Sequence, residues 1–372
     1  MKLSDQHIIL HLSLITGIGP ATLTNMIQAK PESMTWSDVY ACDVQQLVLW
    51  FGMTERIAQS IVTGLQDFSL IHKELDLIQR HDISWATLSD AEYPQLLRHI
   101  HAPPAVIYWQ GRCPQVDTMI AIVGARKANY YGQRVINQVV PVLVENGWTI
   151  VSGGAIGADT MAHRATLAAK GSTVVVLGSG LLEPYPSSNN KLFKEIVACG
   201  GTVLSSFPLG MQGLPGNFPA RNRIISGLSK GCVVVQAAIQ SGARITAQYA
   251  LEQGREVFAV PGPIDDPLSA GCHALIQEGA KLVTSAQDII TEFTQSYGVG
   301  YVQQNLFVEP ACESPIITTL EGKIVRACSQ PKSTDDLVAE FGLDLSQIQV
   351  KLFELQLAGQ VEQDFTGMWV AR

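Results

Sequence analysis

The residues of this chain that could do chemistry gather where apolar runs end. The segment Asn217-Phe218-Pro219-Ala220-Arg221-Asn222-Arg223-Ile224-Ile225-Ser226-Gly227-Leu228-Ser229 sets two arginines around an asparagine just as an apolar helix face opens. A guanidinium fork matches phosphate bidentately, and at a helix start its charge adds to that of the unpaired backbone N–H groups. The same pair also has a structural reading, in which either arginine donates to loop carbonyls instead. Three further junctions have the form of an apolar run closed by glycine: MIAIVGAR (Met119–Arg126, with Gly124), WTIVSGGAIGAD (Trp148–Asp159, with Ser152, Gly153 and Gly154) and TVVVLGSG (Thr173–Gly180, with Gly178, Ser179 and Gly180). Glycine after a buried strand lets backbone N–H groups come close to a ligand, although each loop taken alone is equally well a tight turn. A fourth junction, QAAIQSGARIT (Gln236–Thr246), offers Ser241, Gly242 and Thr246. The pattern is that of an anion site built largely from backbone.

Other chemistries find less support. The phosphate loop G-x-x-x-x-G-K-[ST] is absent. The second junction has Ser152 where a dinucleotide fingerprint wants its first glycine, and the third lacks the last glycine, so neither argues for NAD. Asp159 and His163 lie four apart on one helix but are too few ligands for a metal; an acidic helix start beside a buried histidine is the simpler reading. Asp265-Asp266 before Pro267 reads as a turn. The seven cysteines show no C-x-x-C pair and read as small buried hydrophobes in a reducing compartment. No catalytic residue, metal or cofactor is expected.

The elements that must position these loops follow from periodicity. Runs of Val and Ile with almost no polar alternation describe strands buried on both faces. Three in succession predict neighbouring loops along one edge of a parallel sheet, where ligands of open α/β sheets bind. Further strands are expected at Ile83–Leu88, Ala105–Gly111, Thr202–Leu204, Cys232–Val235, Glu256–Val260 and Lys281–Val283. Helices are expected at about 130–146, kinked at Pro141, and at Asp159–Lys170 and about Asn189–Ala198. This alternation makes residues 82–296 an α/β domain: a doubly wound, mostly parallel, Rossmann-like sheet with helices on both faces.

The flanks differ. Residues 1–81 read as a helical domain in which Gly17-Ile18-Gly19-Pro20 resembles a helix-hairpin-helix or SAM-like turn, with a weaker copy at Gly52, Met53, Ala58 and Ile61. Such hairpins can hold a phosphate through backbone N–H groups, but the acidic balance of the segment favours a protein-interaction role. Residues 297–314 lack periodicity and read as a linker. Residues 315–372 give three helices and then two short strands, winged-helix order, but the third helix (Ser346–Leu357) carries Lys351 as its only base, beside Glu354. Charge separates these parts: residues 1–117 hold 7 basic and 12 acidic side chains, 118–290 hold 13 and 10, and 291–372 hold 5 and 11. Any contact with nucleic acid is therefore confined to a patch on the middle domain. The N-terminus does not read as a signal peptide, and no apolar run approaches the roughly 18 residues of a membrane span. A cytoplasmic protein is expected.

The pieces VGARKANYYG, SGGAIGADTMAH, LGSGLLEPYPSSNNKL, NFPARNRIISGLS, SGARITAQYALEQGREVFAVPG and IDDPLSAGCHALIQEGAKLVTSA, in this order and spacing, resemble the DNA-processing protein A family (DprA, also called Smf). The resemblance covers 82–296, and the helical and winged-helix-like flanks also match the family's longer architecture. It implies an extended Rossmann fold, a homodimer, and a non-enzymatic protein that coats incoming single-stranded DNA and helps load RecA recombinase in natural transformation. It also implies that Arg126 contacts DNA in a basic pocket, with Asn189, Lys191, Arg221, Asn222 and Arg223 close to that pocket. Tyr130, Tyr185 and Phe193 lie near these loops in sequence and could stack bases. The chain departs from the family pattern at Ala158, usually Ile, at Gln236, usually Glu, and at His273, usually Asn. A nucleotide-processing hydrolase on a similar fold is the rival reading, but the P-G-G-x-G-T-x-x-E loop is reduced here to Pro261-Gly262-Pro263.

Overall fold

The computed structural model describes residues 3–116, 118–296, 320–330, 332–363 and 368–371. It divides the chain into two compact units, Met1–Gly298 and Val299–Arg372. The first is built on a nine-stranded sheet: β1 (Ser84–Thr87), β2 (Val106–Gly111), β3 (Met119–Val123), β4 (Thr149–Ser152), β5 (Thr173–Val176), β6 (Thr202–Ser205), β7 (Gly231–Val234), β8 (Glu256–Ala259) and β9 (Lys281–Leu282). Their order across the sheet is β1-β2-β6-β5-β4-β3-β7-β8-β9. Strands β3 to β9 pair in parallel, and only β2 runs against its neighbours β1 and β6. The three glycine-ended runs are thus adjacent, as their lack of polar alternation predicts. Every residue of β3, β4 and β5 is buried because helices cover both faces.

The helices of this unit are α1 (Asp5–Leu14), α2 (Pro20–Ala29), α3 (Val44–Phe51), α4 (Glu55–Leu65), α5 (Phe68–Arg80), α6 (Gln95–Arg98), α7 (Tyr130–Glu145), α8 (Ala158–Ala168), α9 (Asn190–Ala198), α10 (Asn217–Gly227), α11 (Gly242–Glu252), α12 (Ala270–Gln277) and α13 (Ala286–Ser296). One face of the sheet packs on α6, α10, α11 and α12. The other packs on α7, α8 and α13 at one side and on α9 with the N-terminal helices at the other. Pro20 opens α2, and Gly52 closes α3 in the left-handed region (φ 62°). The N-terminal helices share a core with β2, β5 and α9, through residues such as Ile8, Leu12, Ile71, Tyr108, Val175 and Phe193. Glu74 of α5 is buried at this junction and accepts from the Leu209 N–H at 2.8 Å; burial pushes its carboxyl above the usual range. It anchors the 206–216 loop that leads into α10.

The second unit contains α14 (Leu320–Ala327), α15 (Thr334–Phe341) and α16 (Leu345–Leu357), then the antiparallel pair β10 (Val361–Gln363) and β11 (Trp369–Ala371). Ser333 with Asp336, and Asp344 with Gln347, form reciprocal capping boxes at the starts of α15 and α16. Ile324, Leu337, Ile348, Leu352 and Val361 make its small core. The expected linker at 297–314 and the turn between the last two strands lie outside the described residues.

Candidate nucleic-acid interface

From β3 the chain proceeds to β4, β5 and β6 on one side, then returns to β7, β8 and β9 on the other. The direction of winding reverses between β3 and β7, and a parallel sheet opens a crevice at such a point, beyond the carboxyl ends of its strands. A cleft of about 780 Å³ lies there. Its walls come from Gly124, Arg126 and Lys127 after β3, Ala155 and Asp159 after β4, Phe218, Arg221 and Asn222 of α10, and Ser241, Gly242 and Thr246 at the start of α11.

Three helices begin at this cleft. The first four N–H groups of a helix have no partner within it. Ser241 caps α11 by accepting from the Ala243 N–H at 3.1 Å, whereas α8 and α10 start at Gly157 and Gly216 with no side-chain cap. At α8 carbonyls take the donors instead, since the Ala158 N–H donates to the Ala125 oxygen at 3.1 Å and the Thr160 N–H to the Ala155 oxygen at 3.2 Å, so the positive end open to an anion is that of α10. Glycine is required at 157, where φ is 91° and a Cβ would run into the carbonyl oxygens of Ala125 and Arg126. That contact, with the Ala158 N–H donating to the Ala125 oxygen at 3.1 Å, fixes the β3 loop against α8.

Arg126 and Lys127 are the exposed cations of the cleft. Arg126 lies over the Phe218 ring at 5.9 Å, and Phe218 meets Tyr185 with ring centroids 5.4 Å apart and planes tilted by 53°. Tyr185 is half exposed and lines the cleft. The aromatic pair beside the cations is thus Tyr185 and Phe218. Phe193 is core, packed under Gly154, and Tyr130 is exposed but outside the cleft's lining. Lys127 and Phe218 were not singled out in the sequence; Lys127 directly follows Arg126, and Phe218 sits three residues before Arg221, which was the available signal.

The arginine pair takes its structural form. Arg221 is 5% exposed and its Nη1 donates to the carbonyls of Gly153 and Val176, while Nε reaches Asn222 Oδ1 at 3.3 Å. A Cβ on Gly153 would lie 2.8 Å from the Arg221 guanidinium, which accounts for the glycine. Burial lowers the Arg221 guanidinium to about 10, opposed by the nearby Asp159 carboxylate. Asp159, whose own carboxyl burial pushes up, accepts from the Ala155 N–H at 3.2 Å. Arg223 is half-buried and donates to the Ala102 carbonyl. Both arginines hold loops in place, and the charge offered to solvent is that of Arg126 and Lys127.

Several other predicted residues also turn inward. Ser152 Oγ donates to the Ile122 carbonyl at 2.6 Å. Asn189 Nδ2 donates to the Gly154 carbonyl at 2.9 Å and to Thr160 Oγ1 at 2.8 Å. Gly154, Gly178, Ser179 and Gly180 are buried, and Gly178 packs on Phe218. Thr246 lines the cleft, but its hydroxyl donates to the Gly242 carbonyl. Lys191 is exposed on α9, away from the cleft's lining residues. Gln236, where a Glu was expected, is 1% exposed and clasps Asn129, accepting from its N–H at 3.1 Å and donating to its side chain at 3.0 Å. An amide both donates and accepts in that clasp, which a carboxylate cannot do. Among the described residues no cluster of His, Cys, Asp or Glu could hold a metal, and no helix is long and apolar enough to cross a membrane.

His163 lies fully buried below this layer, with Nδ1 2.8 Å from Thr173 Oγ1 and Nε2 without a partner. Burial, then the Arg221 charge, lowers the imidazole to about 3. Its folded pKa is below the unfolded value of 6.5, so the neutral ring contributes its full stability above 6.5. That contribution is lost as pH falls toward 3, at about 1.4 kcal/mol per pH unit. His163→Gln is expected to remove this slope. Urea unfolding at about pH 7 and about pH 5 should show the gap between wild type and variant shifting by roughly 2 kcal/mol in the variant's favour at the lower pH. An unchanged gap would mean that folding does not lower the pKa of His163.

A doubly wound, mostly parallel sheet with a cleft at its switch point places the chain in the Rossmann-like class. A family model for the DNA recombination-mediator protein A matches residues 84–294, and the chain belongs to that family. Protein Smf of Synechocystis is 31% identical over 398 residues, covering 98% of either chain. The crystal structure of DNA processing protein A from Streptococcus pneumoniae superposes with a TM-score of 0.66 at 34% identity, over 78% of this chain and 99% of that one. DNA processing protein A from Helicobacter pylori, described for its single-stranded DNA binding mode, superposes with a TM-score of 0.52 at 28% identity, over 58% of this chain and 98% of that one.

Proposed function

We propose that this chain binds single-stranded DNA in the β3/β7 cleft, protects incoming strands and hands them to RecA recombinase during natural transformation, acting as a homodimer and without turnover of its own. The observation that carries the DNA reading is the meeting, at one sheet edge, of exposed Arg126 and Lys127, the start of α10 without a side-chain cap, and the Phe218–Tyr185 pair. Cations and N–H groups take backbone phosphates irrespective of sequence, and an exposed ring gives an unpaired base a surface to stack on. Bases inside a duplex are not available for that stacking. The relative from Helicobacter pylori described for single-stranded DNA binding supports the same assignment. The protective and recombinase-loading roles, and the cytoplasmic setting, rest on the family resemblance, and the absence of turnover on the missing phosphate and glycine loops.

The test is a binding titration of labelled oligo-dT against a matched duplex at several salt concentrations. The strand should bind tighter than the duplex. With two exposed cations each neutralising one phosphate, the logarithm of its association constant should fall with the logarithm of salt at a slope of about −1.4. Equal affinity for strand and duplex at every salt concentration would overturn the reading.

A further inference from the structure

A second cleft, of about 600 Å³, opens between α2 and residues 98–103. Strand β1 is antiparallel to β2, and β2 to β6, so β1 runs in the direction of the central strands. The 88–105 segment therefore leaves β1 and enters β2 at the same sheet edge that carries Arg126. Helix α10 reaches both clefts. On α10, Phe218, Arg221 and Asn222 line the first, while Arg223 reaches over to the Ala102 carbonyl in the wall of the second.

The second cleft is lined by donors. Asn25 and Gln28 of α2 face Arg98, His99 and His101, and none of the lining residues is acidic, although residues 1–117 are acidic in sum. The wall is held firmly. Thr24 Oγ1 donates to the Pro103 carbonyl at 3.2 Å, Arg98 Nη2 donates to the Asp90 carbonyl at 2.6 Å, and Ala102 is kept at a φ of 49°. A non-glycine residue in that left-handed region persists where its surroundings over-determine it. The loop consequently presents His99 and His101 to solvent on a fixed frame. Amide and imidazole N–H groups with no carboxylate among them suit an anion that also carries hydrogen-bonding sugar and base groups.

We propose that this cleft is a second contact for the phosphodiester strand that leaves the β3/β7 cleft, with His99, His101, Asn25 and Gln28 as its donors. The inference rests on the DNA reading given above and extends the strand's path across α10 to the N-terminal helices. It gives the first hairpin a part in holding nucleic acid through side chains of α2.

The experiment uses the full chain and fluorescent oligo-dT of about 6 and about 16 nucleotides, lengths near the two ends of the range for single-strand sites. His99→Ala/His101→Ala is expected to weaken the longer oligonucleotide roughly tenfold and to leave the shorter one unchanged, as for two lost hydrogen bonds. His99→Glu/His101→Glu should weaken the longer one further, because it places two carboxylates against phosphate. Both histidines are exposed, so the thermal melt should not move. Unchanged affinity for the longer strand, or equal loss on both lengths, overturns the second contact. Arg126→Ala measured alongside separates the two readings, since it weakens both lengths if the first cleft holds DNA, whatever the histidines do.

Discussion

Arg221→Ala should destabilise the first unit by about 3–5 kcal/mol, the usual cost of removing one side of a buried charge network. The guanidinium is enclosed and satisfies the Gly153 and Val176 carbonyls at the ends of two adjacent strands. Without it both carbonyls lose a donor in the interior, and Asp159 is left as a buried carboxylate without its nearby positive charge. Asp159 and Arg221 form no ion pair within 4.0 Å, so their coupling is electrostatic at longer range and acts through the β4 loop. The double variant Arg221→Met/Asp159→Asn should cost less than the sum of its parts, because it removes the charges together. Urea unfolding of wild type, both single variants and the double variant measures this directly. Full stability in Arg221→Ala together with lost DNA affinity would mean that the side chain contacts DNA instead.

Arg126→Ala should behave in the opposite way. The side chain is exposed, its resolved ring contact is with Phe218, and no buried group depends on it. Removing it takes one or two charge-assisted hydrogen bonds from a phosphate, roughly 1–3 kcal/mol each, or about five- to hundredfold in affinity for a single bond. Arg126→Lys should recover part of this loss, since an ammonium keeps the charge but loses the fork and the flat stacking surface. Fluorescence anisotropy with oligo-dT reads the affinities, and circular dichroism checks that the fold is intact. An Arg126→Ala protein with wild-type affinity would remove the strand from the first cleft.

Much of this architecture was legible because each central strand is buried on both faces, which leaves an uninterrupted apolar run that nothing else imitates at that length. The glycines marked the sheet edge for the same reason: Gly157 and Gly153 have no room for a Cβ. What the sequence could not show is which way a side chain turns after leaving that edge. Arg126, in the loop after β3, and Arg221, on α10, are the same residue type beside one cleft, yet Arg221 is drawn inward by two carbonyls and Arg126 is left over an aromatic ring. Asn189 and Ser152 likewise find partners distant in sequence, on the loop after β4 and on β3. The pairing of Tyr185 with Phe218 depends on two loops meeting, and no local pattern encodes that. Lys351 shows the converse case, since its acidic neighbours were visible in the sequence and the structure pairs it with Glu321 and Glu354, both at 2.9 Å.

On the proposed reading the strand lies on the first unit and not on the tail. A single anisotropy titration of oligo-dT with wild type, Arg126→Ala and a chain lacking residues 315–372 tests it most directly. The tail holds 5 basic and 8 acidic side chains, and the one lysine of α16 is held in two ion pairs. The truncated chain should therefore bind within about threefold of wild type, whereas Arg126→Ala should lose at least about fivefold. Binding abolished by the truncation and untouched in Arg126→Ala would contradict the account and move the DNA to the C-terminal unit.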